Sequence, residues 1–317
     1  MSDGPVILCP GQGAQAVGMG RAWFERSTAA ARTFAAADEV LGERLGVKLS
    51  EVCFHGPAGV LNRTDVAQPA LFTVGVASLQ SVFADMPAES LGATAGLSLG
   101  EYTALVAAGS ISFAEGLELV ALRGSAMQAA AEATASSMVA LVGADEARAR
   151  AVCEKAAGDD VLVPANFNAP GQVVISGHAS ACDRAESAAS ELGLRATRLQ
   201  VAGAFHSPIM APAAEKLGAA LERAEVRPPR CRVVSNVTAL PHGEAPGDDA
   251  DVAASIRRRL VEQLTAPVRW AESCAWLVGH VGGEYHELAP GKVLAGLMRR
   301  VDRKTKVQSH DEPTDEA

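Results

Sequence analysis

Ser98 stands between two glycines in Gly96-Leu97-Ser98-Leu99-Gly100, with a short apolar run before it and a helical stretch closed by Gly109 behind it. A serine on a sharp strand-to-helix turn needs small neighbours, because the turn is strained and the flanking backbone passes close. Such a turn lifts Ser98 Oγ into the open as a candidate nucleophile. The helix that follows aims free backbone N–H groups at the same point, where a negative oxygen gathers during acyl transfer. A serine hydroxyl is a weak nucleophile until a base takes its proton, so the seven histidines have to be searched for a partner. His206 lies in Gly203-Ala204-Phe205-His206-Ser207-Pro208, an apolar, Gly/Pro-punctuated loop after a predicted strand, of the kind that positions reacting groups. The alternative for it is a loop histidine that caps a neighbour. His286 beside Glu287 is the rival base, whereas His55, His178, His242 and His310 fall in polar turns or the tail.

Arg123 is the third informative residue. At helical spacing its same-face neighbours are Leu119, Val120, Ala126 and Met127, so a permanent charge interrupts a stripe that should face the core. A buried guanidinium needs an anion, supplied either by a protein carboxylate or by a substrate carboxylate gripped by the planar fork. Amides cluster at Asn166, Asn168 and Gln172, with Gln263 further on; such residues satisfy turn backbones or position a polar substrate.

Several elements must hold these residues. A buried strand over 6–9 ends at Pro10 and runs into Gly11-Gln12-Gly13-Ala14-Gln15, a loop suited to close backbone approach to a ligand. That loop lacks both the dinucleotide glycine spacing and the Gly-Lys-Ser/Thr of a phosphate loop, which argues against a nucleotide. An Ala/Leu-rich helix over 114–133 carries Arg123. The pattern then changes to strand 138–142, helix 145–157, strand 161–166, strand 172–176, helix 179–192 and strand 196–201, the ferredoxin-like order. An α/β pattern resumes with a strand over 233–236 and a helix over 252–263, so the βαββαβ unit reads as an insertion. The expected division is therefore a catalytic domain over 1–134 and 204–301, an insert over 135–203, and a charged, apolar-poor, disordered tail over 302–317.

With 48% hydrophobic and 21% charged residues among 317, the chain can bury a full core. A net charge of −9 argues against nucleic acid as a partner, and the local clusters at 257–259 and 299–304 read as solvated helix faces. No basic leader and no run of about 18 apolar residues is present, so no membrane association and a cytoplasmic location are expected. The six cysteines show no C-x-x-C pair, which argues for reduced thiols, no metal site and no disulfide framework.

Taken together, the strings at 10–15, 96–101, 122–124, 166–172, 203–208, Gln263 with 267–270, and 290–294 resemble the malonyl-CoA:acyl-carrier-protein transacylase family, including acyltransferase domains of fatty-acid and polyketide synthases. The resemblance covers nearly the whole chain. It implies an α/β-hydrolase-like large domain with a ferredoxin-like insert, and a reaction in which Ser98 and His206 carry a malonyl group from malonyl-CoA to acyl carrier protein. By the same resemblance the backbone N–H groups of Gln12 and Leu99 would hold the oxyanion and Arg123 would grip the malonyl carboxylate. Asn166, Phe205 and Gln263 would shape the acyl site, with a backbone carbonyl near Gln263 orienting the histidine. No cofactor is implied, since the coenzyme A thioester is itself a substrate, and the chain is expected to act as a monomer.

Two positions depart from that family's pattern: Leu97 stands where a histidine is usual, and Ala289 where a glycine is usual. A free-standing polyketide acyltransferase and a serine thioesterase or esterase are the alternatives. The hydrolase would need an acid and then a late histidine, which Asp248 or Asp251 with His286 could supply, but it lacks the His-Gly-Gly-Gly oxyanion motif.

Overall fold

In chain order the strands are β1 (Val6–Cys9), β2 (Ala93–Gly96), β3 (Ser136–Val142), β4 (Leu162–Ala169), β5 (Gln172–His178), β6 (Arg195–Arg198), β7 (Arg232–Val234), β8 (Tyr285–Leu288) and β9 (Val307–His310). They come from a computed structural model that describes residues 3–248 and 250–314. One sheet is parallel, in the order β7-β2-β1-β8-β9. β1 sits at its centre and is buried at every residue, which is why its sequence is an unbroken apolar run. In its register with β2, Cys9 lies opposite Gly96, so the loop after β1 and the turn after β2 leave the sheet side by side. The carboxyl ends of parallel strands are where such sheets present ligand sites.

The second sheet is antiparallel, in the order β4-β5-β3-β6, and packs against the helices Glu146–Ala157 and Ala179–Glu191. It has its own core, including Val139, Leu141, Val152, Ile175 and Ala185. Asp145 starts the first of these helices by accepting a hydrogen bond from the Arg148 N–H. The strand and helix order matches the sequence expectation, with shifted ends: β4 continues to Ala169 through two register shifts, and β6 stops at Arg198. The irregular end of β4 has a second partner. Phe167 N–H donates to the Val268 carbonyl at 2.8 Å and Val268 N–H to the Ala165 carbonyl at 2.9 Å, so this strand is tied to the segment that leads into the helix Trp270–His280.

The helix Phe113–Ala133 begins at Ser112, whose hydroxyl accepts from the Glu115 N–H, and it buries Arg123 among Leu119, Val120, Ala126 and Met127. Among the described residues no helix is long and apolar enough to cross a membrane. All six cysteines are free thiols. Of the basic run at 257–259, Arg259 is not a solvated side chain: it is buried against Asp248 at 2.7 Å and Glu262 at 2.8 Å.

The expectation of a disordered tail over 302–317 is corrected. β9 pairs along β8 from Val307 opposite Tyr285 to His310 opposite Leu288, and completes the sheet. Beyond it, Trp23 Nε1 donates to the Asp311 carbonyl at 3.1 Å and the Gly291 N–H to Asp311 Oδ1 at 2.6 Å. A four-residue strand with charged flanks carries almost no apolar signal of its own. The open edge of β8 supplies the backbone partners that order it. Residues 315–317 lie outside the described residues. Deleting residues 307–317 should therefore cost stability, lowering the melting temperature by roughly 5 °C or more. An unchanged melting curve would show that β9 adds nothing to the sheet.

Candidate active site

The turn after β2 places Ser98 at φ 52°, a left-handed backbone that a non-glycine residue adopts only under constraint. The glycines on either side are demanded by contact. A Cβ on Gly96 would lie 1.9 Å from the Gly100 carbonyl carbon, and one on Gly100 would lie 2.1 Å from the Cys9 carbonyl oxygen. Three hydrogen bonds from distant chain hold the turn, two of them on the strained residue itself. Ser98 N–H donates to Asn236 Oδ1 at 2.6 Å, Asn236 Nδ2 donates to the Gly96 carbonyl at 2.6 Å, and Gln263 Nε2 donates to the Ser98 carbonyl at 3.1 Å.

His206 is also left-handed, at φ 56°, and is 4% exposed. Its Nε2 lies 2.9 Å from Ser98 Oγ and its Nδ1 lies 2.7 Å from the Gln263 carbonyl oxygen. A carbonyl only accepts, so the proton sits on Nδ1 and the Nε2 lone pair faces the serine hydroxyl. Burial, and then the nearby Arg123 charge, push the imidazole down from 6.5 to about 4, against a smaller upward pull from the Gln263 carbonyl. At neutral pH this histidine is an unprotonated acceptor aimed at the serine.

Arg123 is 1% exposed and makes no ion pair among the described residues. Its Nη1 donates to Gln68 Oε1 at 2.7 Å, and its Nη2 to Gln263 Oε1 at 2.8 Å and to Ser98 Oγ at 3.0 Å. The guanidinium carbon stands 5.7 Å from the centroid of the Tyr102 ring, and Nε has no hydrogen-bond partner among the described residues. The protein thus surrounds a buried cation with neutral oxygens, and burial lowers its proton affinity. Of the two sources considered for its anion, a protein carboxylate is not in place.

Behind these residues lies a buried polar cluster. Glu101 accepts from His242 Nε2 at 2.8 Å on one oxygen, and from Gln263 Nε2 at 2.7 Å and the Asn236 N–H at 3.1 Å on the other. Glu101, Asn236 and Gln68 were not singled out from the sequence, and His242, set aside there as a turn histidine, is buried against Glu101. Two of them carried the same signal as Arg123: Glu101 lies in the apolar helix Gly100–Ala107, and Gln68 lies in the apolar helix Thr64–Val82. Asn236 and His242 offered none.

A cleft of about 530 Å³ opens in front of Ser98 and His206, lined also by Gln12, Leu97, Arg123, Asn166 and Phe205. Phe205 is held there by its carbonyl, which accepts from Ser176 Oγ at 2.7 Å. The N–H groups of Gln12 and Leu99 donate to nothing among the described residues. Leu97, in the place of the usual histidine, is one wall of this cleft. Gln172 is elsewhere, accepting from Arg300 Nη1. The hydrolase-like set is not assembled: Asp248 is bound to Arg259, Asp251 caps the helix Val252–Glu262, and His286 on β8 faces His310 Nε2 at 3.0 Å. Among the described residues no group of three or more acids, histidines and cysteines is arranged to hold a metal.

The acyl transferase domain family matches residues 6–295. The malonyl CoA-acyl carrier protein transacylase of Bacillus subtilis (strain 168) is 41% identical over 309 residues, covering 97% of this chain and 93% of that protein. Among solved structures, the malonyl-CoA:acyl carrier protein transacylase of Xanthomonas oryzae pv. oryzae superposes with a TM-score of 0.89 at 41% identity, over 100% of this chain and 97% of that one. A malonyl-transacylase solved in complex with a type II polyketide-synthase acyl-carrier protein gives a TM-score of 0.89 at 35% identity, over 98% and 97% of the two chains.

The depressed His206 basicity has a sign that can be measured. Ring-resolved NMR should find His206 neutral at pH 7 and titrating near pH 4, and Arg123→Gln should move that titration upward. In the unfolded chain the imidazole takes up its proton near 6.5, so this residue's contribution to stability declines as pH falls from 6.5 toward 4. A titration at or above 6.5 in the folded protein would contradict the burial and charge placed around it.

Proposed function

The chain belongs to the acyl transferase domain family, and from that membership and the cleft at Ser98 we propose that it moves a malonyl group from malonyl-CoA to the phosphopantetheine thiol of acyl carrier protein in fatty-acid biosynthesis. The observation that carries this reading is Arg123, a buried cation without a protein carboxylate, 3.0 Å from the candidate nucleophile. A malonyl thioester brings the missing carboxylate, and brings it two bonds from the carbonyl to be attacked. A fatty ester would bring nothing for this charge. We read the parallel-sheet body as α/β-hydrolase-like and the βαββαβ unit as a ferredoxin-like insert.

The steps follow from the contacts. Ser98 Oγ attacks the thioester carbonyl as its proton passes to His206 Nε2. The N–H groups of Gln12 and Leu99 receive the oxyanion, which gives the Gly11-Gln12-Gly13 loop its task. The intermediate collapses, the coenzyme A thiolate takes the proton back from Nε2, and a malonyl-serine ester remains. The carrier thiol then repeats the sequence in the other direction, giving up its proton to the same nitrogen. The Gln263 carbonyl keeps the imidazole in the tautomer that both halves require. No cofactor enters these steps.

Arrival of the malonyl carboxylate does two further things. It replaces Ser98 Oγ as the acceptor for Arg123 Nη2, releasing the hydroxyl for attack. It also offsets the charge that depresses His206, so the base strengthens when the right acyl group is in place. Asn166 and Phe205 line the acyl side of the cleft, where Phe205 crowds substituents on the α-carbon.

Incubation with malonyl-CoA should add one malonyl group, and peptide mapping should find it on Ser98; a label on a cysteine, or none under turnover conditions, would sink the mechanism. Arg123→Ala should leave a folded protein, since no protein carboxylate loses its partner, while malonyl transfer falls by about 2–5 kcal/mol of transition-state stabilisation. Acetyl transfer should be spared or improved. Parallel loss of both substrates with a lowered melting temperature would make Arg123 structural.

A further inference from the structure

The side-chain amide of Gln263 has two unlike ends, and each faces a group that tolerates only one of them. Its Oε1 accepts from Arg123 Nη2 at 2.8 Å; its Nε2 donates to Glu101 Oε2 at 2.7 Å and to the Ser98 carbonyl at 3.1 Å. Turned by half a rotation, the amide would point N–H donors at a guanidinium and an oxygen at a carboxylate, and both contacts would repel. Glu101 is well fixed to enforce the choice. It sits in the first turn of the helix Gly100–Ala107 at 1% exposure, held by His242 Nε2 at 2.8 Å and by the Asn236 N–H at 3.1 Å. No step of the proposed reaction uses Glu101, yet it is one amide away from the guanidinium.

We propose that Glu101 is a positioning residue that locks Gln263 with its oxygen toward Arg123, and thereby sets the preference for acyl groups that carry a carboxylate. The inference rests on the reading of Arg123 as the carboxylate-binding residue. With the amide locked, Arg123 Nη2 is held between Gln263 Oε1 and Ser98 Oγ, where an arriving carboxylate takes the place of the serine. With the amide free, that aim is lost while His206 keeps its backbone carbonyl. His242 completes the arrangement from behind by occupying the other oxygen, so that Glu101 cannot swing away from the amide.

The test compares malonyl-CoA and acetyl-CoA as donors to acyl carrier protein, with kcat and KM for each, in the full chain. Glu101→Met keeps the volume and removes the acceptor; the malonyl-to-acetyl ratio of kcat/KM should fall about tenfold or more, chiefly through a raised KM for malonyl-CoA. Glu101→Gln retains an oxygen for Gln263 if its NH2 turns to His242 and the imidazole carries its proton on Nδ1, leaving Nε2 to accept, and should keep the ratio within about threefold of the parent. Gln263→Leu, read by the same ratio because its amide also holds the Ser98 carbonyl, should lower that ratio by a similar factor, and Glu101→Met/Gln263→Leu should add no further loss in the ratio, since the two act as one unit. An unchanged ratio in Glu101→Met, additive losses, equal damage from Glu101→Gln, or acetyl turnover falling in step with malonyl would each overturn the proposal. Should Glu101→Met fail to fold, an unchanged ratio in Gln263→Leu overturns it alone, because the link runs through that amide. A parent enzyme with no malonyl preference would instead overturn the Arg123 reading on which the relay stands.

Discussion

A guanidinium taken out of water costs several kcal/mol unless its donors are met, and a carboxylate is the usual way to meet them. Around Arg123 the chain meets them with the oxygens of Gln68, Gln263 and Ser98 and with the face of Tyr102. Neutral acceptors satisfy the hydrogen bonds, and Glu101, one amide away and not in contact, offsets the charge only in part. The remaining charge adds to burial in holding His206 in its neutral form, and in the proposed reaction it is what the malonyl carboxylate would meet beside Ser98. On that reading, the preference for an anionic acyl group rests on an incomplete ion pair.

An incomplete pair is stable only where the surroundings are stiff. Ser98 and His206 both sit at positive φ without being glycine, and each is held by hydrogen bonds from chain far away in sequence. Asn236 clamps the serine turn from both sides, and the Gln263 carbonyl fixes the imidazole. The clamps converge on Glu101, which receives Asn236, Gln263 and His242 together. Strain at Ser98 and at His206 is thus offset by one buried network anchored on the helix that begins at Gly100.

Contacts of the antiparallel sheet with chain outside it serve the same end. β4 leaves its regular register near Asn166 so that Ala165 and Phe167 can bond Val268, and Ser176 on β5 holds the carbonyl of Phe205 next to the base. The antiparallel sheet is in this way one wall of the cleft whose floor is the parallel sheet's carboxyl edge. Side chains from 12 to 206 meet there because the strand ends, and not the sequence neighbours, bring them together.

Local patterns carried a good deal by themselves. The two glycines around Ser98 announced a tight turn because close backbone approach excludes any Cβ there, and the charge of Arg123 announced itself by breaking an apolar stripe of period 3.6. The order of strands and helices between 136 and 198 was legible for the same reason, since periodicity is a property of short windows. What the tertiary structure decided is how separated pieces pair. His206 lies against Ser98 and His286 does not; His242 meets a carboxylate 141 residues away; the polar tail becomes β9 because β8 leaves an edge open. Such pairings depend on which surfaces are brought within hydrogen-bond reach when the core closes, and a buried histidine, an asparagine clamp or a short edge strand leaves no periodic trace in the chain to foretell its partner.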